Sequence, residues 1–310
     1  MDRYDTMLFE GPEKKLEILT AEPFASLRTL GDDFWSKIVQ RAKARIISSV
    51  STDACDAYLL SESSLFVCDR RVVLITCGRT TLIDAALEIL DRIHGETVAS
   101  LIYERKNENF PELQHTTFEE DVARLHARAA GTSVSFGDRA GDHIDLFHLD
   151  RPFEPDPGDA TLEILMYDMP PDVNQLFARI SSPVDLRGKI GLGEMFPDFL
   201  VDDHLFDPAG YSFNGIKGEF YTTLHVTPQK KGSYTSFETN HGLDANGVET
   251  IVSRVLGFFR PARCDVLLFQ SPLRLGGLAG GFRVTATQSF QLGCGYAVAY
   301  AHVERELARK

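Results

Sequence analysis

A ten-residue run, Tyr58-Leu59-Leu60-Ser61-Glu62-Ser63-Ser64-Leu65-Phe66-Val67, limits what this chain can fold into more than any other. Its ends are apolar and β-prone, but its middle carries a glutamate followed by two serines. Polar groups left unpaired in a buried strand cost free energy on desolvation. The run is therefore either an edge strand or tight turn with solvated serines, or a place where those groups do chemistry. A basic break at Asp69-Arg70-Arg71 follows, then a second apolar run that closes on Thr76-Cys77-Gly78.

Strand-like and helix-like segments alternate irregularly around it. Residues 57–67 and 71–77 read as a pair of strands, with further strands at 98–103, 144–149 and 161–166. Helical spacing of apolar residues predicts helices over 80–93, 118–130 and 171–180. Residues 151–159, with three prolines and a glycine, read as a loop. In the second half, strands are expected at 221–227, 234–238, 264–269, 282–288 and 296–303. A helix at 248–259 should end at Arg260-Pro261. Two halves with several strands and about two helices each imply an α+β sandwich with pseudo-duplicated halves.

Composition narrows the function classes. The 310 residues are 43% hydrophobic and 25% charged, with a formal net charge of −13. The isoelectric point is near 5.2 and the mean hydropathy −0.13. No basic patch dominates, which argues against a nucleic-acid partner, whereas a small cationic ligand is compatible. No apolar window reaches the ~20 residues of a membrane helix, and no signal peptide is visible before Leu8, so a cytoplasmic protein is expected. Five cysteines (Cys55, Cys68, Cys77, Cys264, Cys294) lack CxxC or paired-histidine spacing. Neither a disulfide framework nor a metal site is expected, and Cys68, Cys264 and Cys294 read as buried free thiols.

Five separated motifs share one resemblance: Leu8-Phe9-Glu10-Gly11, the Ser61–Ser64 segment, Thr76-Cys77-Gly78, Phe206 through Gly215, and Leu224-His225-Val226-Thr227-Pro228 with Ser236-Phe237-Glu238-Thr239-Asn240 beyond it. Together they resemble the eukaryotic-type S-adenosylmethionine decarboxylases. Those pyruvoyl enzymes cut their own chain at a Glu–Ser bond within Leu-Ser-Glu-Ser-Ser. The resemblance implies a four-layer αββα sandwich of two antiparallel sheets, forming one domain. It further implies self-cleavage between Glu62 and Ser63 into chains 1–62 and 63–310.

In that family the cleavage serine, here Ser63, becomes a covalent pyruvoyl group. This is an electron sink for decarboxylating an amino acid through a Schiff base. The resemblance assigns His225 as the base of self-processing, Ser212 as the stabiliser of its intermediate, and Cys77 as the acid that reprotonates the product. It assigns Phe9 and Phe206 to sandwich adenine and Glu238 to accept the ribose hydroxyls. Glu10 is placed near the reacting centre, with Leu60 and Glu62 flanking it through their backbones. Glu17, Asp159, Thr161 and Glu163 match an acidic pocket that binds putrescine as an activator in several relatives. Ile75 stands where relatives carry a lysine linking that pocket to the active site, which puts the coupling in doubt.

The implied product is the aminopropyl donor for spermidine and spermine, made by a monomer or homodimer. Two alternatives stand beside it. One is a non-catalytic paralogue that activates a decarboxylase partner, and the other a pyruvoyl decarboxylase for another amino acid.

Overall fold

The computed structural model describes residues 8–93, 95–270 and 272–306. Among them, β1 (Lys14–Thr20), β2 (Ile46–Ser51), β3 (Cys55–Leu60), β4 (Ser63–Cys68), β5 (Arg71–Thr76), β6 (Val98–Lys106), β7 (Gly131–Gly137) and β8 (His143–Leu149) form one antiparallel sheet. Its order is β2-β3-β4-β5-β1-β6-β8-β7. A second sheet contains β9 (Thr161–Tyr167), β10 (Leu200–Leu205), β11 (Tyr211–Lys217), β12 (Phe220–Thr227), β13 (Tyr234–Thr239), β14 (Arg263–Phe269), β15 (Phe282–Gln291) and β16 (Ala297–Arg305). Its order, β10-β11-β12-β13-β9-β14-β16-β15, is the first order with every label advanced by eight. The duplication that the sequence leaves faint is explicit in the topology.

Strand alternation sorts each sheet into two faces. In β1, Leu16 and Ile18 join Trp35, Ile38 and Ile89 in a core under the helices, whereas Lys15 and Glu17 form buried ion pairs with residues of the other sheet and of β5. In β9, Leu162, Ile164 and Met166 face the helix-side core of the second half, and Leu165 and Tyr167 the space between the sheets. Helices α1 (Asp32–Arg41), α2 (Leu82–Arg92) and α3 (Phe118–His126) belong to the first half. In the second are α4 (Pro171–Arg179), α5 (Pro183–Ile190), α6 (Leu192–Met195) and α7 (Ala245–Phe259). Their ends are capped as the sequence suggests: Thr117 and Glu120 form a capping box on α3, and Asp244 accepts from two amides of α7. The expected four layers are present.

Two sequence expectations fail here. The run 57–67 is not one strand but a hairpin, with Ser61-Glu62 as its turn between β3 and β4. The polar interruption is the turn itself, and Ser63 and Ser64 are buried rather than solvated. The second failure concerns the thiols. Cys77, Cys264 and Cys294 are free, but Cys55 and Cys68 form a disulfide. Spacing could not reveal it, because the hairpin register sets the two residues directly opposite each other.

Candidate active site

A cavity of about 170 Å³ opens at the turn of the β3–β4 hairpin and is lined by Phe9, Ser63, Cys77, Phe206, Ser212 and His225 among others. Six sequence-predicted residues from both halves thus meet at one point. Ser63 sits at the start of β4 with φ of 125°, a region that side-chain-bearing residues avoid at a cost of about 1–3 kcal/mol. Its Oγ is buried and has no hydrogen-bond partner. The preceding carbonyl, that of Glu62, accepts from the Cys77 N–H at 3.0 Å and from the Cys77 thiol at 3.6 Å. A strained peptide therefore has its carbonyl polarised and a free hydroxyl beside it.

The Glu62 carboxyl is drawn out of solvent, and burial, opposed by Arg45, raises its pKa to about 7. Gly78 makes this close approach possible. A Cβ there would lie 2.8 Å from the Phe9 ring and 2.9 Å from Glu62 Oε2, and its φ of +70° suits glycine. Burial pushes the Cys77 thiol well above its ordinary range, with Glu62 and Glu13 adding to the effect, so it stays protonated. Burial also lowers His225 to about 3, leaving a neutral imidazole at neutral pH.

The hydrogen-bond pattern assigns the imidazole tautomer. Asn214 donates its amide to the Tyr58 carbonyl (3.3 Å), so its Oδ1 accepts from Ser64 Oγ (2.6 Å) and Thr223 Oγ1 (3.0 Å). With both hydroxyl hydrogens directed there, His225 Nε2 faces oxygen lone pairs at 3.2 and 2.8 Å and carries the hydrogen. Nδ1 then accepts from Ser212 Oγ at 2.9 Å. Asn214, Thr223 and Ser64 were given no role from the sequence. The available signal was polar residues two apart in otherwise apolar strands, Ser212/Asn214 and Thr223/His225.

Other predicted residues lie elsewhere. Glu10 is 1% exposed, and its carboxylate accepts from the Asn109 (2.8 Å) and Phe110 (2.7 Å) amides, so it ties a loop in place. Burial still outweighs those bonds and raises its pKa. The Leu60 side chain belongs to the helix-side core, leaving only its backbone facing the turn. Phe9 is clamped by Gln229, whose amide bonds both its N–H and its C=O at 2.9 Å.

Glu238 requires a correction. It does not line the cavity but sits between the sheets, bonded to Tyr221 and 2.9 Å from Lys15. A role in accepting ribose hydroxyls does not fit that placement. Lys15 also contacts Glu163 at 2.6 Å and Glu17 at 3.9 Å. Burial alone would lower the Lys15 pKa, but Glu163 and Glu238 hold it well above its usual value. Arg71 forms ion pairs with Glu17 at 3.2 Å and with Asp159, which precedes β9. Thr161 is buried beside them at the start of β9. Lys15 and Arg71 thus offset part of the acidic cluster expected here, and the space left beside Lys15 and Glu163 is about 10 Å³.

Comparison with known proteins identifies the family. The pattern of the family described as adenosylmethionine decarboxylase matches residues 6–297. The chain is 36% identical to an S-adenosylmethionine decarboxylase proenzyme of Dictyostelium discoideum, over 84% of this chain and 74% of that one. It is 35% identical to the Drosophila melanogaster proenzyme, over 86% and 84%. A crystal structure of the Trypanosoma brucei AdoMetDC-delta26 monomer superposes with a TM-score of 0.58 at 26% identity, covering 78% of this chain and 99% of that one. The chain belongs to the eukaryotic-type, pyruvoyl-dependent S-adenosylmethionine decarboxylase family.

Proposed function

We propose that this chain is a self-processing S-adenosylmethionine decarboxylase whose pyruvoyl group forms from Ser63. One observation carries the reading: Ser63 combines a strained φ with an unpartnered hydroxyl next to a carbonyl that Cys77 polarises. In the cleavage, Ser63 Oγ attacks the Glu62 carbonyl carbon, and the C–N bond breaks to give an ester and a free amine. His225, kept neutral by burial, takes the Ser63 α-proton, and the Glu62 carboxylate leaves. The resulting dehydroalanine takes up water and releases ammonia, leaving the pyruvoyl group at residue 63. Ser212 steadies the tetrahedral intermediate by turning its hydroxyl hydrogen from His225 Nδ1 to the oxyanion, which leaves Nδ1 free to take the α-proton.

The pyruvoyl group supplies the electron sink for loss of CO₂. Cys77, held as a thiol at the same cavity, is the proton donor to the decarboxylated carbon. Phe9 and Phe206 offer aromatic faces for adenine and the sulfonium cation.

Putrescine has no role in this reading. Lys15 and Arg71 already supply two positive charges, as many as a diamine would bring, and the space of about 10 Å³ beside Lys15 and Glu163 is room for one water at most. Added putrescine should leave the rate of cleavage unchanged.

The test is the mass of the reduced protein. Two chains are expected, the larger blocked at its amino end, together with release of labelled CO₂ from carboxyl-labelled S-adenosylmethionine. Ser63→Ala should remain a single chain. An uncut, inactive wild type would favour the paralogue that regulates a partner, and CO₂ release from another amino acid would reassign the substrate.

A further inference from the structure

Cys55 opens β3 and Cys68 closes β4, so the pair lies at the end of the hairpin opposite Glu62 and Ser63. The two are direct partners in the antiparallel register, with Cα atoms 4.1 Å apart and their sulfurs bonded. Both backbone groups of Cys55 turn to Thr52 instead of to Cys68. Its N–H donates to Thr52 Oγ1 at 3.0 Å, and its C=O accepts from the Thr52 N–H at 2.8 Å. This is the closely spaced kind of pair, in which side chains approach most nearly. Arg28 fixes the same end, donating to both carboxylate oxygens of Asp56 (2.9 and 3.0 Å) and to the Thr52 carbonyl (3.0 Å).

We propose that the Cys55–Cys68 disulfide is a covalent tie between the two chains that self-cleavage creates. It rests on the cleavage at Glu62–Ser63 proposed above. A cut there leaves Cys55 in fragment 1–62 and Cys68 in fragment 63–310, so a bond that closes a 13-residue separation in the uncut chain becomes an interchain bond. Two thiols become one disulfide by exchange with a low-molecular-weight disulfide such as oxidised glutathione. One thiolate attacks and forms a mixed disulfide, the second displaces the remaining glutathione, and the two electrons and two protons leave in two reduced glutathione molecules. Cys68 lines an open cleft of about 920 Å³ with Arg70 and Arg71, the side from which a small thiol reaches the bond.

Topology gives the tie a purpose. Fragment 1–62 contributes β1, β2 and β3, and β1 sits between β5 and β6 in the middle of its sheet. Loss of that fragment would remove a central strand together with Lys15 and Glu17. Without the bond, reassembly after unfolding is bimolecular and depends on protein concentration, whereas with it the fragments cannot separate.

The experiment uses the purified enzyme equilibrated with oxidised and reduced glutathione, alkylated, and run on denaturing gels with and without dithiothreitol. One species of 34.5 kDa is expected without reductant and two species with it. Cys55→Ser should give two species under both conditions, with decarboxylation unchanged. Two fragments from the wild type under both conditions would overturn the tie and leave the cleavage standing. A single species under both conditions would overturn the cleavage, and the interchain bond with it.

Discussion

The hairpins β3–β4 and β11–β12 hold the same place in their respective sheets, yet they have been put to opposite uses. In β11–β12 the turn contains Gly218 at φ +60°, with open space where a Cβ would be, and the chain reverses without strain. In β3–β4 the corresponding reversal leads into Ser63 at φ 125°. The second hairpin carries its chemistry in its strands, as Ser212, Asn214, Thr223 and His225, while the first carries it at the tip. Thr52, in the β2–β3 turn beside the open end of β3–β4, donates to the Gly218 carbonyl (3.1 Å), whereas Ser64, near the tip of β3–β4, bonds the body of β11–β12. The hairpins therefore lie head to tail, and each presents what the other lacks. The two hairpins are equal in topology, and only the first places a positive φ on a residue that has a side chain.

Breaking the asymmetry at the tip should have the largest effect. Cys77→Ala keeps the backbone N–H on the Glu62 carbonyl, so cleavage should survive. Decarboxylation should fall by about 10²–10⁴-fold, the usual value of a general acid. Unchanged turnover in steady-state assays would remove Cys77 from the reaction. Next comes Asn214→Ala, on the supporting hairpin. It frees the Ser64 and Thr223 hydroxyls to donate to His225 Nε2 and so disturbs the tautomer. Cleavage should slow by about 10-fold or more and its pH profile should shift, whereas a purely structural loss would leave the profile in place.

The pH dependence of stability sharpens the contrast further. His225 is near 3 when folded and near its ordinary 6.5 when unfolded, so the unfolded chain takes the proton first. Its contribution is complete above about pH 6.5 and is lost as pH falls towards 3. In urea titrations, wild type minus His225→Gln should therefore show a difference that grows with acidification through that window. The smallest effect concerns the turns themselves. Ser63→Gly should be more stable than Ser63→Ala by about 1 kcal/mol, and Gly218→Ala should cost about 1 kcal/mol. Equal midpoints for the two Ser63 variants would mean that the strain at residue 63 is absent.

Much of the first half was hidden from pattern reading for one reason. β1 reads Lys-Lys-Leu-Glu-Ile-Leu-Thr, and its charges disguise a central strand because they point into the ionic layer between the sheets. β14 and β16, whose apolar residues are nearly continuous, were legible for the opposite reason. The residues that meet at the cavity were legible where a whole motif carried them, as with Ser63, Cys77, Ser212 and His225. The site was misread where one residue stood alone: Glu238 belongs to Lys15 and Tyr221, and Glu10 to two backbone amides. By itself, the sequence determined the family and the four-layer architecture, and it named six residues that line one cavity. Only the tertiary structure decided the charge balance between the sheets, the tautomer of His225, the strain at Ser63 and the pairing of Cys55 with Cys68. Each of these depends on distances between groups far apart in the chain, and local pattern contains no such distances.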